Sequence, residues 1–298
     1  MRHGFIKAAA ATPDIRVADV DFNTEKICGA IGEACETGAK IIVFPELCIT
    51  GYTCGDLFTQ DALLKSAREA LMRIAKYTKE KDILAFVGMP LSVRGKLYNT
   101  AAALNRGEVI GFTTKTFLPN YAEFYEMRQF TPGPDKAGYI EFEGEQVPFG
   151  PQILFEASGI EGLVVSAEIC EDVWSPVPPS IQAAIEGATV IVNCSASDET
   201  IGKDVYRREL IAGQSARLIA GEGESTTDVV FGGHNIIAEN GAVLMEAERY
   251  RNEIIYLEFD LKRIVSERRK NTTFQSVPTG TLMRVPFAIE KEEVRLTR

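Results

Sequence analysis

Histidine is almost absent from this chain of 298 residues; only His3 and His234 occur. A Cys–His or Ser–His–Asp mechanism would have to use one of these two, and neither accompanies a second polar cluster. Any nucleophilic chemistry here therefore needs a base other than imidazole. Six cysteines are scattered with no CxxC pair. That spacing speaks against a disulfide framework or a zinc site and for reduced thiols. No apolar run approaches the roughly 18 residues of a membrane span. The apolar patch at residues 1–11 begins a strand that Pro13-Asp14 ends, so no secretory signal is expected. Basic charge is short as well: 32 Lys and Arg stand against 42 Asp and Glu, a net −10. Such a balance argues against a general nucleic-acid or anionic-membrane surface. The expectation is a cytoplasmic chain without metal, cofactor, nucleic-acid partner or membrane.

What the chain does have is order of an α/β kind. Strands are expected at Phe5–Ala11, Lys40–Phe44, Ile83–Met89, Leu97–Leu104 and Val109–Thr114. Asn23 reads as the cap of a helix reaching Cys35, and a longer helix follows over Asp61–Lys79. Pro90-Leu91-Ser92 and Asn105-Arg106-Gly107 read as turns between strands. Thr131–Gly150, rich in Pro, Gly and acids, reads as a surface excursion. Strands at Gln152–Phe155, Leu163–Val165 and Ala188–Cys194 follow, with helices over Pro178–Glu186 and Asp204–Ile219. A hairpin around Asn240-Gly241, a last strand Ile254–Phe259 and a helix from Asp260 to Arg269 complete the pattern. Residues 1–270 read as one layered domain, and residues 271–298 as a polar tail or the start of a linker.

Three short clusters stand directly after core strands. Glu46 follows Phe44-Pro45, Lys115 follows Val109–Thr114, and Cys170 follows Leu163–Val165 among acids and the sole tryptophan, Trp174. Each has a bland reading: a solvated loop acid, a surface lysine, a buried structural thiol. Strand ends can also converge on one crevice. There a carboxylate could take a thiol proton and an ammonium could hold a developing oxyanion. That trio suits attack on an amide carbonyl, an acyl-enzyme, and then water.

Phe44-Pro45-Glu46-Leu47, Lys115-Thr116-Phe117-Leu118-Pro119 and Glu168-Ile169-Cys170-Glu171-Asp172 resemble, in order, the three boxes of the nitrilase, or carbon–nitrogen hydrolase, superfamily. Leu118–Glu126, Ile169–Trp174, Asn193–Ser197, Tyr206–Arg208 and Gly223–Asp228 bring the chain closest to one branch, the glutaminase domain of glutamine-dependent NAD+ synthetases. The resemblance implies a four-layer α-β-β-α sandwich that assembles into homo-oligomers. It implies Glu46 as general base, Lys115 as oxyanion stabiliser and Cys170 as nucleophile, with the backbone N–H of Glu171 completing the oxyanion hole. Glu126 falls where many members place a second glutamate near the lysine. Glutamine recognition maps onto Tyr52, Tyr121, Glu171, Trp174 and Ser197.

The implied activity is hydrolysis of L-glutamine, with ammonia passing to a NAD+ synthetase domain in the same or another chain. A stand-alone amidase for another small amide and an inactive docking domain are the alternatives. The branch has a Tyr-x-Tyr-x-Asn-Ala-like strand before its Gly-Glu-Ser-Thr-Thr box, and nothing similar stands between Arg217 and Gly223. Gly221–Thr227, with two glycines and two glutamates, reads as a poor buried strand. The expectation is a gap in one sheet.

Overall fold

A computed structural model describes residues 4–218, 221–225, 233–274 and 279–290 of the chain, with side chains described outside 218 and 221–225. The first half alternates helix and strand: β1 (Phe5–Ala11), α1 (Val20–Glu36), β2 (Ile41–Val43), α2 (Asp61–Tyr77), then β3 (Leu84–Val93), β4 (Lys96–Asn105) and β5 (Glu108–Thr114). The hairpin β6 (Gly138–Phe142) and β7 (Glu145–Gly150) follows, then β8 (Leu154–Ala157), β9 (Val164–Ile169), α3 (Glu171–Trp174), α4 (Pro179–Ile185) and β10 (Val190–Cys194). The remainder is α5 (Lys203–Leu218), β11 (Gly221–Ser225), β12 (Ile236–Glu239), β13 (Ala242–Glu246), β14 (Ile254–Asp260), α6 (Leu261–Lys270) and β15 (Arg284–Phe287).

Among the described residues these strands form two sheets, β14-β1-β2-β3-β4-β5-β7-β6 and β13-β12-β11-β10-β9-β8-β15. Alternation along each strand decides the layers. In the first sheet Ala9, Ala11 and Ile42 face outward with Ile27, Ile31, Leu71 and Ile74 of α1 and α2. The neighbouring Ala10, Ile41, Val43 and Phe86 face inward with Phe155, Val165, Val190 and Val192 of the second sheet. Phe86 meets Phe155 edge-on across that seam, ring centroids 5.4 Å apart. On the far side Leu154, Val164 and Ile191 pack with α4, and Ile236 and Ala238 with Ile211 of α5. The result is the expected α-β-β-α sandwich.

Several local expectations change. Asp19, not Asn23, caps α1, its side chain accepting from Phe22 N. Asn23 is buried inside the helix, its amide donating to the carbonyls of Arg16 and Ile49, so it staples the incoming chain. Pro90 does not turn the chain: β3 runs on to Val93 opposite β4, and the turn falls at Arg94-Gly95, both at positive φ. The excursion at 131–150 contains the β6–β7 hairpin, held because Ile140, Phe142, Val147 and Phe149 have buried side chains. Arg284–Phe287, read as tail, pairs parallel to β8, with Val285 and Phe287 in the inter-sheet core.

The expected gap after α5 is overturned. Gly221–Ser225 forms β11, parallel to β10 and antiparallel to β12, so the second sheet is continuous. The physical reason lies in the backbone. The facing edges of β10 and β12 carry N–H and C=O groups that need partners, and a main chain supplies them whatever its side chains. Glycine weakens a strand without preventing one.

Candidate active site

The site is built where β2, β5 and β9 end. After β2 the chain passes Phe44 and Pro45 and turns at Leu47, which sits at φ 52°. Gly88 of β3 makes that path possible. A Cβ on it would lie 2.3 Å from Leu47 N and 2.4 Å from Pro45 O, closer than atoms can approach. Glu46 is thus delivered into the interior, 2% exposed.

Lys115 leaves the end of β5 and is 1% exposed. Its Nζ donates to Glu46 Oε1 at 2.7 Å and to Glu126 Oε1 at 2.6 Å. Glu126 itself is buried, and Tyr52 OH donates to the same Oε1 at 2.7 Å. Burial works against the Lys115 charge, but Glu126 and Glu46 outweigh it and hold the ammonium well above its ordinary pKa. Burial pushes Glu46 up to about 7, helped by the Glu126 charge and opposed by Lys115. A carboxyl in that range can both take and return a proton near neutral pH.

Cys170 ends β9 at φ 44°, ψ −101°, a backbone conformation close to the first central position of a II′ turn, where glycine is favoured. Its N–H is shared between Cys194 O at 3.1 Å and Asn193 Oδ1 at 3.0 Å. The Sγ lies 3.5 Å from Ala196 O. Ala196 N donates to Glu46 Oε2 at 3.2 Å, so one residue touches both nucleophile and carboxylate. Burial raises the Cys170 thiol well above its ordinary pKa, Glu46 raises it further, and Lys115 opposes both. The resting group is a thiol that needs a base.

Asp172 ties the loops together. Its Oδ2 accepts from Ile169 N at 3.0 Å, and its Oδ1 accepts from Thr116 N at 3.0 Å and Phe117 N at 2.9 Å. The strand ends bearing Lys115 and Cys170 are therefore pinned to one buried carboxylate.

Outside Cys170 opens a cleft of about 450 Å³. Tyr121, Glu171, Trp174 and Ser197 all line it, and Tyr121 OH donates to Glu171 Oε1 at 2.8 Å. Tyr52 instead joins the site through Glu126. The cleft wall adds residues that the sequence reading did not single out: Glu123, Asp198 and Lys203. The Lys203 ammonium pairs with Asp198 and lies over the ring of Trp174, 5.4 Å from its centroid. Among the described lining residues it is the one cation. Asn99, in the middle of β4, was also missed; it reaches Glu46 with a 2.6 Å hydrogen bond. No local pattern marks it, since its meaning comes from the pairing of β4 with β5.

The chain as a whole resembles known proteins. The carbon–nitrogen hydrolase family model matches residues 7–269. The glutamine-dependent NAD(+) synthetase of Mycobacterium tuberculosis is 40% identical over 308 aligned residues, covering 97% of this chain and 45% of that protein. A solved glutamine-dependent NAD(+) synthetase from Cytophaga hutchinsonii superposes with a TM-score of 0.77 at 29% identity, covering 86% of this chain and 43% of the other. An amidase from Nesterenkonia shares the fold, with a TM-score of 0.68, 20% identity and coverage of 91% of this chain and 97% of that one. The chain spans less than half the length of the NAD(+) synthetases it matches. With the sandwich formed and the family match running through both sheets, this chain belongs to the carbon–nitrogen hydrolase family.

Proposed function

We propose that the chain hydrolyses the side-chain amide of L-glutamine through a thioester on Cys170. The observation that carries this reading is the buried cluster in which Lys115 bridges Glu46 and Glu126 while Ala196 joins Glu46 to Cys170. Glu46 takes the thiol proton as Sγ bonds to the amide carbon. The carbonyl electrons move to oxygen, where Lys115 Nζ and the backbone N–H of Glu171 hold the charge. The C–N bond breaks as Glu46 returns the proton to nitrogen, and ammonia leaves. Water then attacks the thioester, giving its proton to Glu46, and glutamate departs as the thiol is restored.

The cleft wall suits a zwitterion. Glu171, Glu123 and Asp198 can face an α-ammonium and Lys203 an α-carboxylate, beside Tyr121, Trp174 and Ser197. The names of the relatives suggest that the ammonia serves a NAD+ synthetase domain, in the same or another chain; that the chain works within a homo-oligomer is proposed with it on the family resemblance alone.

The test measures ammonia release from L-glutamine, from glutaramate (which lacks the ammonium) and from 4-aminobutanamide (which lacks the carboxylate). Acid-quenched protein is weighed for a glutamyl adduct on Cys170. Glutamine should be preferred, and Cys170→Ala should abolish both adduct and turnover by many orders of magnitude. Substantial turnover by Cys170→Ala would sink the mechanism. Equal turnover of the three amides would replace glutamine with a broader amide substrate.

A further inference from the structure

Asn99 stands at the centre of β4, 1% exposed, and holds both partners of the buried ion pair. Its backbone carbonyl accepts from the backbone N of Lys115 at 3.0 Å, and its side-chain Nδ2 donates to Glu46 Oε1 at 2.6 Å. The amide cannot be turned the other way without facing one oxygen acceptor with another. Among the described residues, Glu46 Oε1 therefore receives two short hydrogen bonds, from Lys115 and Asn99, while Oε2 receives the longer one from Ala196 N. The Ala196 carbonyl is also the group beside Cys170 Sγ, so Oε2 is the oxygen linked to the nucleophile through Ala196.

We infer that Asn99 is a positioning residue that occupies Oε1 of Glu46, leaving Oε2 as the oxygen that exchanges protons with Cys170. The inference rests on the acyl-transfer reading above, and it assigns the two carboxylate oxygens different tasks. Oε1 is the anchored one, held at fixed distance from the ammonium. Oε2 is the mobile base. A donor to the carboxylate also favours its ionised form. Among the described residues, the groups facing Glu46 are the Lys115 ammonium, the Glu126 carboxylate, the Cys170 and Cys194 thiols, the Asn99 amide and the Ala196 N–H. The Tyr52 hydroxyl lies near it as well and is hydrogen-bonded to Glu126. Asn99 is the one neutral side chain in that set that donates to Glu46.

Two near-isosteric variants separate positioning from general support. Asn99→Leu removes the donor, and Asn99→Asp removes it and adds an acid beside Glu46. With L-glutamine, both should lower kcat by about 10- to 100-fold with little change in KM. In both, the acid limb of the kcat/KM profile should move to higher pH, by about one unit for Leu and further for Asp. A structural role alone would lower activity without moving the limb. An unmoved limb, a limb moved to lower pH, or a KM effect with normal kcat would overturn the assignment.

A second measurement does not depend on which amide is turned over. In the Cys170→Ala background, difference infrared spectroscopy follows the protonated-carboxyl band of Glu46 as pH rises, with Glu46→Gln identifying the band. Adding Asn99→Leu should move its disappearance to higher pH. An identical titration would overturn the inference even if glutamine proved not to be the substrate.

Discussion

At the scale of single residues, the site works by burial that is only partly compensated. Cys170 is held at φ 44°, where an L side chain is strained by about 1–2 kcal/mol. Two inactive variants isolate that strain: Cys170→Gly should be more stable than Cys170→Ala, because glycine accepts the conformation freely. Urea midpoints measure it, and an equal or lower midpoint for the glycine variant would refute it. Glu168 shows the same economy on the other side of β9. It is 2% exposed and pushed up to about 8, by burial first and then by the Asp172 charge. Its folded pKa lies above its ordinary 4.5, so the folded state binds the proton more tightly. The native chain should therefore lose stability as pH rises between those values. Glu168→Gln cannot ionise. Its advantage in unfolding free energy over the native chain, from urea unfolding, should be smallest below pH 5 and grow on the order of a few kcal/mol toward pH 8. A constant difference across that range would show that Glu168 does not titrate on folding.

At the scale of elements, strand ends deliver the chemistry, and close backbone packing sets where each end points. Gly88→Ala would drive a Cβ into the Pro45–Leu47 backbone and displace Glu46 without touching any reacting group. We expect kcat to fall by about 100-fold while the global fold survives, checked by steady-state kinetics beside circular dichroism. Near-native kcat would mean that the segment can shift without moving the base. Much of this was legible in the chain itself. Glu46, Lys115 and Cys170 each follow a buried apolar run, and a side-chain period of two or of about 3.6 reports which run is strand or helix. Asp172 stood inside the Cys170 box without an assigned role, and the roles of Asn99 and Ala196 were not legible. They act through the register of strands distant in sequence, or through a backbone carbonyl that every residue carries. β11 was misread for a related cause. Composition ranks Gly221–Ser225 as a poor strand, but two flanking strands impose the conformation on it. Inserting six or seven apolar strand-forming residues after Gly221 should accordingly raise neither Tm nor activity. A clear rise in both would show that the sheet is better served by a longer segment.

At the scale of the whole molecule, the two sheets share one core, and that core reaches further along the chain than the family pattern does. The match ends at residue 269, whereas β15 begins at Arg284 and buries Val285 and Phe287 between the sheets. Fragment boundaries drawn at the end of the family match would therefore fall short of the folded unit. A chain cut at 270 would leave β8 as an unpaired, apolar sheet edge, an open template for another molecule's strand. Such a fragment should express as aggregates or as higher-order species in light scattering, while one cut at 290 stays dispersed. A monodisperse fragment ending at 270 would show that β15 is dispensable. For anyone joining this unit to another protein, the usable seam lies after the fifteenth strand, and a linker inserted ahead of it would compete with the sheet for the same residues.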